Sequence, residues 1–169
     1  MTASTPALSI RSLRPLGLAL ACALLAACTT TPSPTPPRGG ASPQKPASAF
    51  IRPAAGPTIS RFNGAGNKGI DIGGSAGDPV LATADGRVVY VGSELRGYGN
   101  MIIVKHNDTF RSAYAHAQTL LVKEKDVVRQ GQQIATMGSS GTDRVKLHFE
   151  IRKLGTAVDP EPYLSGRLR

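Results

Sequence analysis

Beyond residue 50, apolar and polar positions alternate with a period of two over several short stretches. Leu147, Phe149 and Ile151 fall on one side of an extended segment, and Lys146, His148 and Glu150 on the other. Runs at 79–84 and 87–91 flank Asp85-Gly86, a pair that predicts a tight hairpin. Runs at 101–106 and 109–115 flank Asn107-Asp108 and predict a second one. Gln133–Met137, bracketed by Gly131 and Gly138, predicts a further strand. One weak helical stretch lies around 120–128. Glycines at 64, 66, 69, 73, 74 and 77 mark loops and bulges. The expected fold is all-β and mainly antiparallel, a compact sandwich or partly open barrel.

The N-terminal part follows a different pattern. Arg11 and Arg14 precede an apolar run from Leu16 to Ala27. The run is too short to cross a bilayer as a helix and has the proportions of a signal-peptide core. It ends in Leu25-Ala26-Ala27-Cys28, which resembles a bacterial lipobox, so residues 1–28 read as a signal ending at a lipidated Cys28. Thr29, not Asp, follows the cysteine. By the same resemblance this implies a lipid anchor on the periplasmic face of the outer membrane. Residues 29–49 carry six prolines and almost no large apolar side chain. They cannot bury enough surface to offset their ordering entropy and read as a disordered linker. Residues 50–169 are the expected domain.

Charge and composition narrow the function. The chain has 20 Lys and Arg against 11 Asp and Glu, a formal +9. That favours anionic partners. The basic residues are dispersed, and Tyr90, Tyr98, Tyr114 and Tyr163 are too scattered to form a base-stacking platform, so no nucleic acid is expected. Cys22 lies in the signal, which leaves no disulfide and no cysteine-rich metal site. Three histidines remain for chemistry. His106, at a strand end before a turn, reads as structural.

Three stretches concentrate the remaining chemistry: Asn67-Lys68-Gly69-Ile70-Asp71, Tyr114-Ala115-His116 and Lys146-Leu147-His148-Phe149-Glu150. Alternation places Lys146 and His148 in one cleft, with Glu150 on the same side or paired with a neighbouring cation. Tyr114 and His116 share a face if their strand continues. A local role for Asp71, accepting loop N–H groups, is the competing reading.

These stretches resemble the LytM-type, lysostaphin-like zinc metallopeptidases of peptidoglycan. The family pattern is H-x-x-x-D, a His after Tyr-Ala, and H-x-H. The likeness covers about residues 60–164, including Gly86-Arg87-Val88-Val89-Tyr90, Arg96-Gly97-Tyr98-Gly99-Asn100 and Leu147-His148-Phe149-Glu150. It is greatest to the degenerate, NlpD-type amidase activators. The resemblance implies zinc held by the first His, the Asp and the last His, with the other two histidines as acid/base groups. Here those ligand positions are Asn67, Asp71 and His148; His116 is retained, and Lys146 replaces a catalytic His. An amide oxygen is a poor zinc donor, and an ammonium repels the metal. The zinc site is therefore expected to be lost, with no cofactor. Lys146 is expected to replace the metal as counterion of Asp71 and to depress its pKa.

The resemblance implies a non-catalytic outer-membrane lipoprotein that activates periplasmic N-acetylmuramoyl-L-alanine amidases during cell separation. A partner segment would dock in the cleft formed by Asn67, Asp71, Arg96, Tyr98, Tyr114, His116, Lys146 and His148. The alternatives are a peptidoglycan-binding or wall-anchoring lipoprotein and, further off, an active zinc endopeptidase. NlpD-type proteins usually carry a LysM wall-binding module before this domain; the stretch between Cys28 and Phe50 reads only as linker.

Overall fold

The computed structural model describes residues 50–168. The expected signal, the lipidated Cys28 and the linker lie outside the described residues. The described chain forms β1 (Thr58–Ser60), β2 (Ile70–Gly73), β3 (Pro79–Leu81), β4 (Gly86–Gly92), β5 (Met101–Lys105), β6 (Phe110–Ala115), β7 (Ala117–Leu120), β8 (Val127–Val128), β9 (Gln133–Met137), β10 (Lys146–Lys153), β11 (Thr156–Val158) and α1 (Glu161–Leu164). The large sheet runs β1-β2-β10-β6-β5-β4-β8, with β11 also on β10, and a small sheet runs β3-β9-β7. Every pairing is antiparallel. The two sheets face each other without closing into a barrel, as the alternating pattern predicts.

The core lies between them. Leu147, Phe149 and Ile151 of β10, Ile102 and Val104 of β5, and Ile70 and Ile72 of β2 meet Val80, Ile134, Ala135 and Met137 of the small sheet. Removing this apolar surface from water is the main stabilising term. Tyr114 also belongs here, which corrects its expected place in the cleft. It is fully buried, and its ring lies 5.4 Å from that of Phe149. Its hydroxyl accepts the Thr83 N–H at 2.8 Å and lies 2.9 Å from Ser112 Oγ. Burial pushes that phenol up to about 12. His106 continues the same network: Nε2 is 2.7 Å from Ser112 Oγ, and Nδ1 is 2.7 Å from the Asp85 carbonyl. It is structural, as the sequence suggests.

The hairpin at Asn107-Asp108 forms, with the Asn107 side chain accepting the N–H groups of Thr109 and Phe110. The one expected at Asp85-Gly86 does not. β3 pairs with β9, whereas β4 pairs with β5 and β8, so the chain changes sheets there. Gly86 serves a close approach rather than a turn: an added Cβ would lie 2.6 Å from the Lys105 carbonyl oxygen. The weak helix around 120–128 is also absent. Its place is taken by a turn with Lys125 at φ 75° and the Asp126 carboxylate accepting the Lys123 N–H. The one helix among the described residues is α1, whose Tyr163 packs edge-on against Phe50 and Phe110.

Tyr114→Phe is expected to lower the unfolding free energy by about 1–3 kcal/mol, because it strands the buried Thr83 N–H. Urea denaturation measures the loss. A change below a few tenths would show that the hydroxyl does not tie the two sheets together.

Candidate functional site

The face of the large sheet turned away from the core carries the chemistry. The register sets His148 directly across from Asp71 of β2 and Ala115 of β6. Lys146, His148, Glu150 and Arg152 follow one another on this face at every second position of β10. A cleft of about 350 Å³ opens above Asp71, lined by Asn67, Lys68, Tyr98, His116, Lys146 and His148 among others.

The side chains form a chain of alternating charge. Lys146 Nζ donates to Asp71 Oδ2 at 2.9 Å, and His148 Nδ1 lies 2.7 Å from Asp71 Oδ1. His148 Nε2 is 3.2 Å from Glu150 Oε1, and Arg152 Nε donates to Glu150 Oε2 at 2.7 Å. Tyr98 completes the Glu150 shell, its hydroxyl donating to Oε1 at 2.8 Å. Burial alone would raise the Asp71 carboxyl, but hydrogen bonds and charge from His148 and Lys146 prevail and hold it at about 2. Glu150 is fully buried, which also favours its neutral form; His148, Arg152 and Tyr98 outweigh this and bring it to about 2. Burial favours neutral His148, but the two carboxylates raise its pKa. Flanked by two ionised acceptors, both ring nitrogens donate and the ring is an imidazolium.

His116 is different. It leaves the line of β6 at φ 64°, so it does not share a face with Tyr114. Its backbone N–H is held by the Tyr98 carbonyl at 2.9 Å. Burial lowers its pKa, partly opposed by the Ser140 carbonyl 2.8 Å from Nδ1. The ring is therefore neutral, Nδ1–H donates to Ser140, and Nε2 is left as an acceptor at the cleft. Its centroid is 6.1 Å from that of His148.

The residues present do not fit zinc. The Asn67 amide is engaged at both ends: Nδ2 donates to Ser60 Oγ and the Arg61 carbonyl, and Oδ1 accepts the Gly69 N–H. Both His148 ring nitrogens are engaged by carboxylates, and Lys146 and His148 between them occupy both Asp71 oxygens. Among the described residues, no group of three or more His, Cys, Asp or Glu side chains is arranged to hold a metal.

Of the expected cleft residues, the fold gathers Asn67, Asp71, Tyr98, His116, Lys146 and His148. Arg96 does not line the cleft; it lies exposed on the loop whose Gly97 and Tyr98 do. Tyr114 faces the core. Lys68 and Ser60 line the cleft without having been singled out. Lys68 follows Asn67 directly, a signal that was available, whereas nothing in the sequence marks Ser60.

Both carboxylates titrate below their ordinary values, so their stabilisation is complete above about pH 4–5 and is lost as pH falls through about 2. Asp71→Asn is expected to flatten the fall in unfolding free energy between about pH 4 and 2, by roughly 2 kcal/mol. In carboxyl NMR titrations, Lys146→Met is expected to move Asp71 upward from about 2. An unmoved Asp71 would show that Lys146 is not its counterion.

Residues 65–160 match the family described as Peptidase family M23. The chain is 49% identical over 156 residues to "Murein hydrolase activator NlpD" of Salmonella dublin, covering 91% of this chain and 41% of that protein. It is 61% identical over 117 residues to "Lipoprotein NlpD/LppB homolog" of Pseudomonas aeruginosa, covering 68% and 39%. It is 59% identical over 113 residues to "Outer membrane antigenic lipoprotein B" of Histophilus somni, covering 66% and 34%. The chain thus spans about two fifths or less of these relatives. Among solved structures it is similar to the catalytic domain of lysostaphin from Staphylococcus simulans. That match has a TM-score of 0.57 and 33% identity, over 66% of this chain and 89% of that one. With the family model matching residues 65–160, more than half of the chain, the chain belongs to peptidase family M23.

Proposed function

We propose that this chain is a non-catalytic activator of periplasmic N-acetylmuramoyl-L-alanine amidases, anchored in the outer membrane through lipidated Cys28. The observation that carries the reading is the closed charge chain Lys146–Asp71–His148–Glu150–Arg152. It keeps the shape of an M23 cleft while consuming the groups that would bind and use zinc. What remains at the cleft is a docking surface: neutral His116 Nε2 as acceptor, with Lys68 and Lys146 as cations. Close relatives named as murein hydrolase activators and as outer-membrane lipoproteins support this reading.

Activation is a population shift. The chain stimulates an amidase only as far as it binds the active state more tightly than the inactive one. A segment of the amidase seated in the cleft supplies that difference. A second reading, a peptidoglycan-binding lipoprotein, is favoured by the basic chain, at +9.

The test uses dye-labelled sacculi. The full chain with an amidase of the source bacterium is expected to raise dye release well above that of the amidase alone, while the chain alone releases none. Release by the chain alone, abolished by a chelator, would establish a peptidase instead. Sedimentation with sacculi without amidase stimulation would establish wall binding.

A further inference from the structure

A second depression on the same sheet face adjoins the cleft. It holds about 160 Å³ and is lined by Leu95, Tyr98, Met101, Ile103 and Ala113, with Glu150 as the wall it shares with the cleft. The register explains why it exists. Ala113 of β6 lies between Ile103 of β5 and Glu150 of β10, so a small side chain sits among large ones. Met101, Ala113 and Ala115 form an apolar cluster separate from the main core, with Tyr90, Tyr98 and Ile103 packed around it. Leu95 leaves 42% of its surface exposed at this edge. The loop carrying Leu95 and Tyr98 is held at several points. The Tyr98 N–H binds the Leu95 carbonyl, the Tyr98 hydroxyl binds Glu150, and Gly99 presses against the Ser140 backbone. The depression is therefore preformed.

The charge around it is one-sided. Arg111 and Arg152 line its far end. Arg152 is spent on Glu150, whereas no ion pair or side-chain hydrogen bond reaches Arg111 among the described residues. Across the cleft and this depression, cations Lys68, Lys146, His148, Arg111 and Arg152 face only two carboxylates, Asp71 and Glu150. An apolar floor with an unpaired guanidinium at its rim calls for an apolar group followed by an anion.

The geometry points to an anchor pocket, resting on the activator reading: the amidase segment seated in the cleft inserts one leucine- or phenylalanine-sized side chain between Met101, Ile103 and Ala113, and sets a neighbouring carboxylate on Arg111. The volume suits one such group, since a cavity of about 150 Å³ lined by apolar side chains takes up benzene. Arg111 lies across from Arg152, four residues along β10 from His148, or about 13 Å at the strand rise. One short partner segment therefore reaches both the cleft and the pocket. The pocket supplies the selectivity that the polar cleft lacks. Hydrogen bonds in an open polar cleft compete with water, whereas an apolar anchor in a preformed pocket gains from leaving it.

The test titrates the full chain against each periplasmic N-acetylmuramoyl-L-alanine amidase of the source bacterium, reading the concentration for half-maximal dye release and the direct Kd. Ala113→Leu fills the pocket. Arg111→Glu reverses the rim charge at an exposed position and leaves the core untouched. Lys123→Glu, on the β7–β8 turn, makes the same charge change elsewhere. For the amidase that responds to wild-type protein, Ala113→Leu and Arg111→Glu are each expected to weaken binding by roughly 10-fold or more, the worth of one buried side chain or one charge-assisted contact. Lys123→Glu is expected to stay within about twofold. Urea midpoints near wild type establish that the variants fold; should Ala113→Leu fail this, Arg111→Glu decides. Stimulation by wild-type protein with an unmoved Arg111→Glu midpoint overturns the pocket and leaves the activator reading standing. No stimulation of any amidase by wild-type protein overturns both.

Discussion

Five charges of alternating sign, four on β10 and Asp71 on β2, organise this molecule's functional face. Lys146, Asp71, His148, Glu150 and Arg152 are joined end to end by contacts of 2.7–3.2 Å. Burying any one alone would cost several kcal/mol, and each finds its counter-charge in the next. The consequence is chemical as well as structural. A carboxylate and an imidazole that in the family would serve a metal are here engaged with each other, with Lys146 and with Glu150.

The same strand serves both sides of the sheet. Its odd-numbered side chains, Leu147, Phe149 and Ile151, build the core against the small sheet. Its even-numbered ones build the charge chain. The core thereby fixes the site's positions to the precision of a β-register, since a one-residue slip would exchange the two faces. Tyr98 joins the chain to the surface beyond it: its hydroxyl binds Glu150, its ring lies 5.9 Å from His148, and its carbonyl holds the His116 backbone. Cleft and apolar pocket are thus two parts of one rigid face.

Much of this was legible in the sequence. The alternation through 146–151 identified both faces of β10, and the Asn-Asp turn identified the β5–β6 hairpin. The errors have physical causes. Asp85-Gly86 has the composition of a hairpin turn, but the glycine is required because β4 passes close to the Lys105 carbonyl, a long-range constraint with no local signature. Tyr114 and His116 are two apart, yet the positive φ at His116 breaks the period and sends one to the core and the other to the cleft. Arg96 neighbours lining residues but is itself exposed and not among them. The apolar pocket was invisible because Met101, Ile103 and Ala113 read individually as core. Only the strand register shows that they lie on the face opposite it.

The central claim is that Lys146 occupies the metal's electrostatic place, so that restoring the missing ligand is not enough to restore zinc. Calorimetric zinc titration of the full chain tests this directly, comparing wild type, Asn67→His and the double variant Asn67→His with Lys146→His. The expected result is no stoichiometric binding to wild type, at best weak binding to Asn67→His, and tight one-to-one binding, with release of protons as His148 gives up its imidazolium form, to the double variant alone. Stoichiometric zinc on the wild-type protein, or equal affinity in the single and double variants, would contradict it.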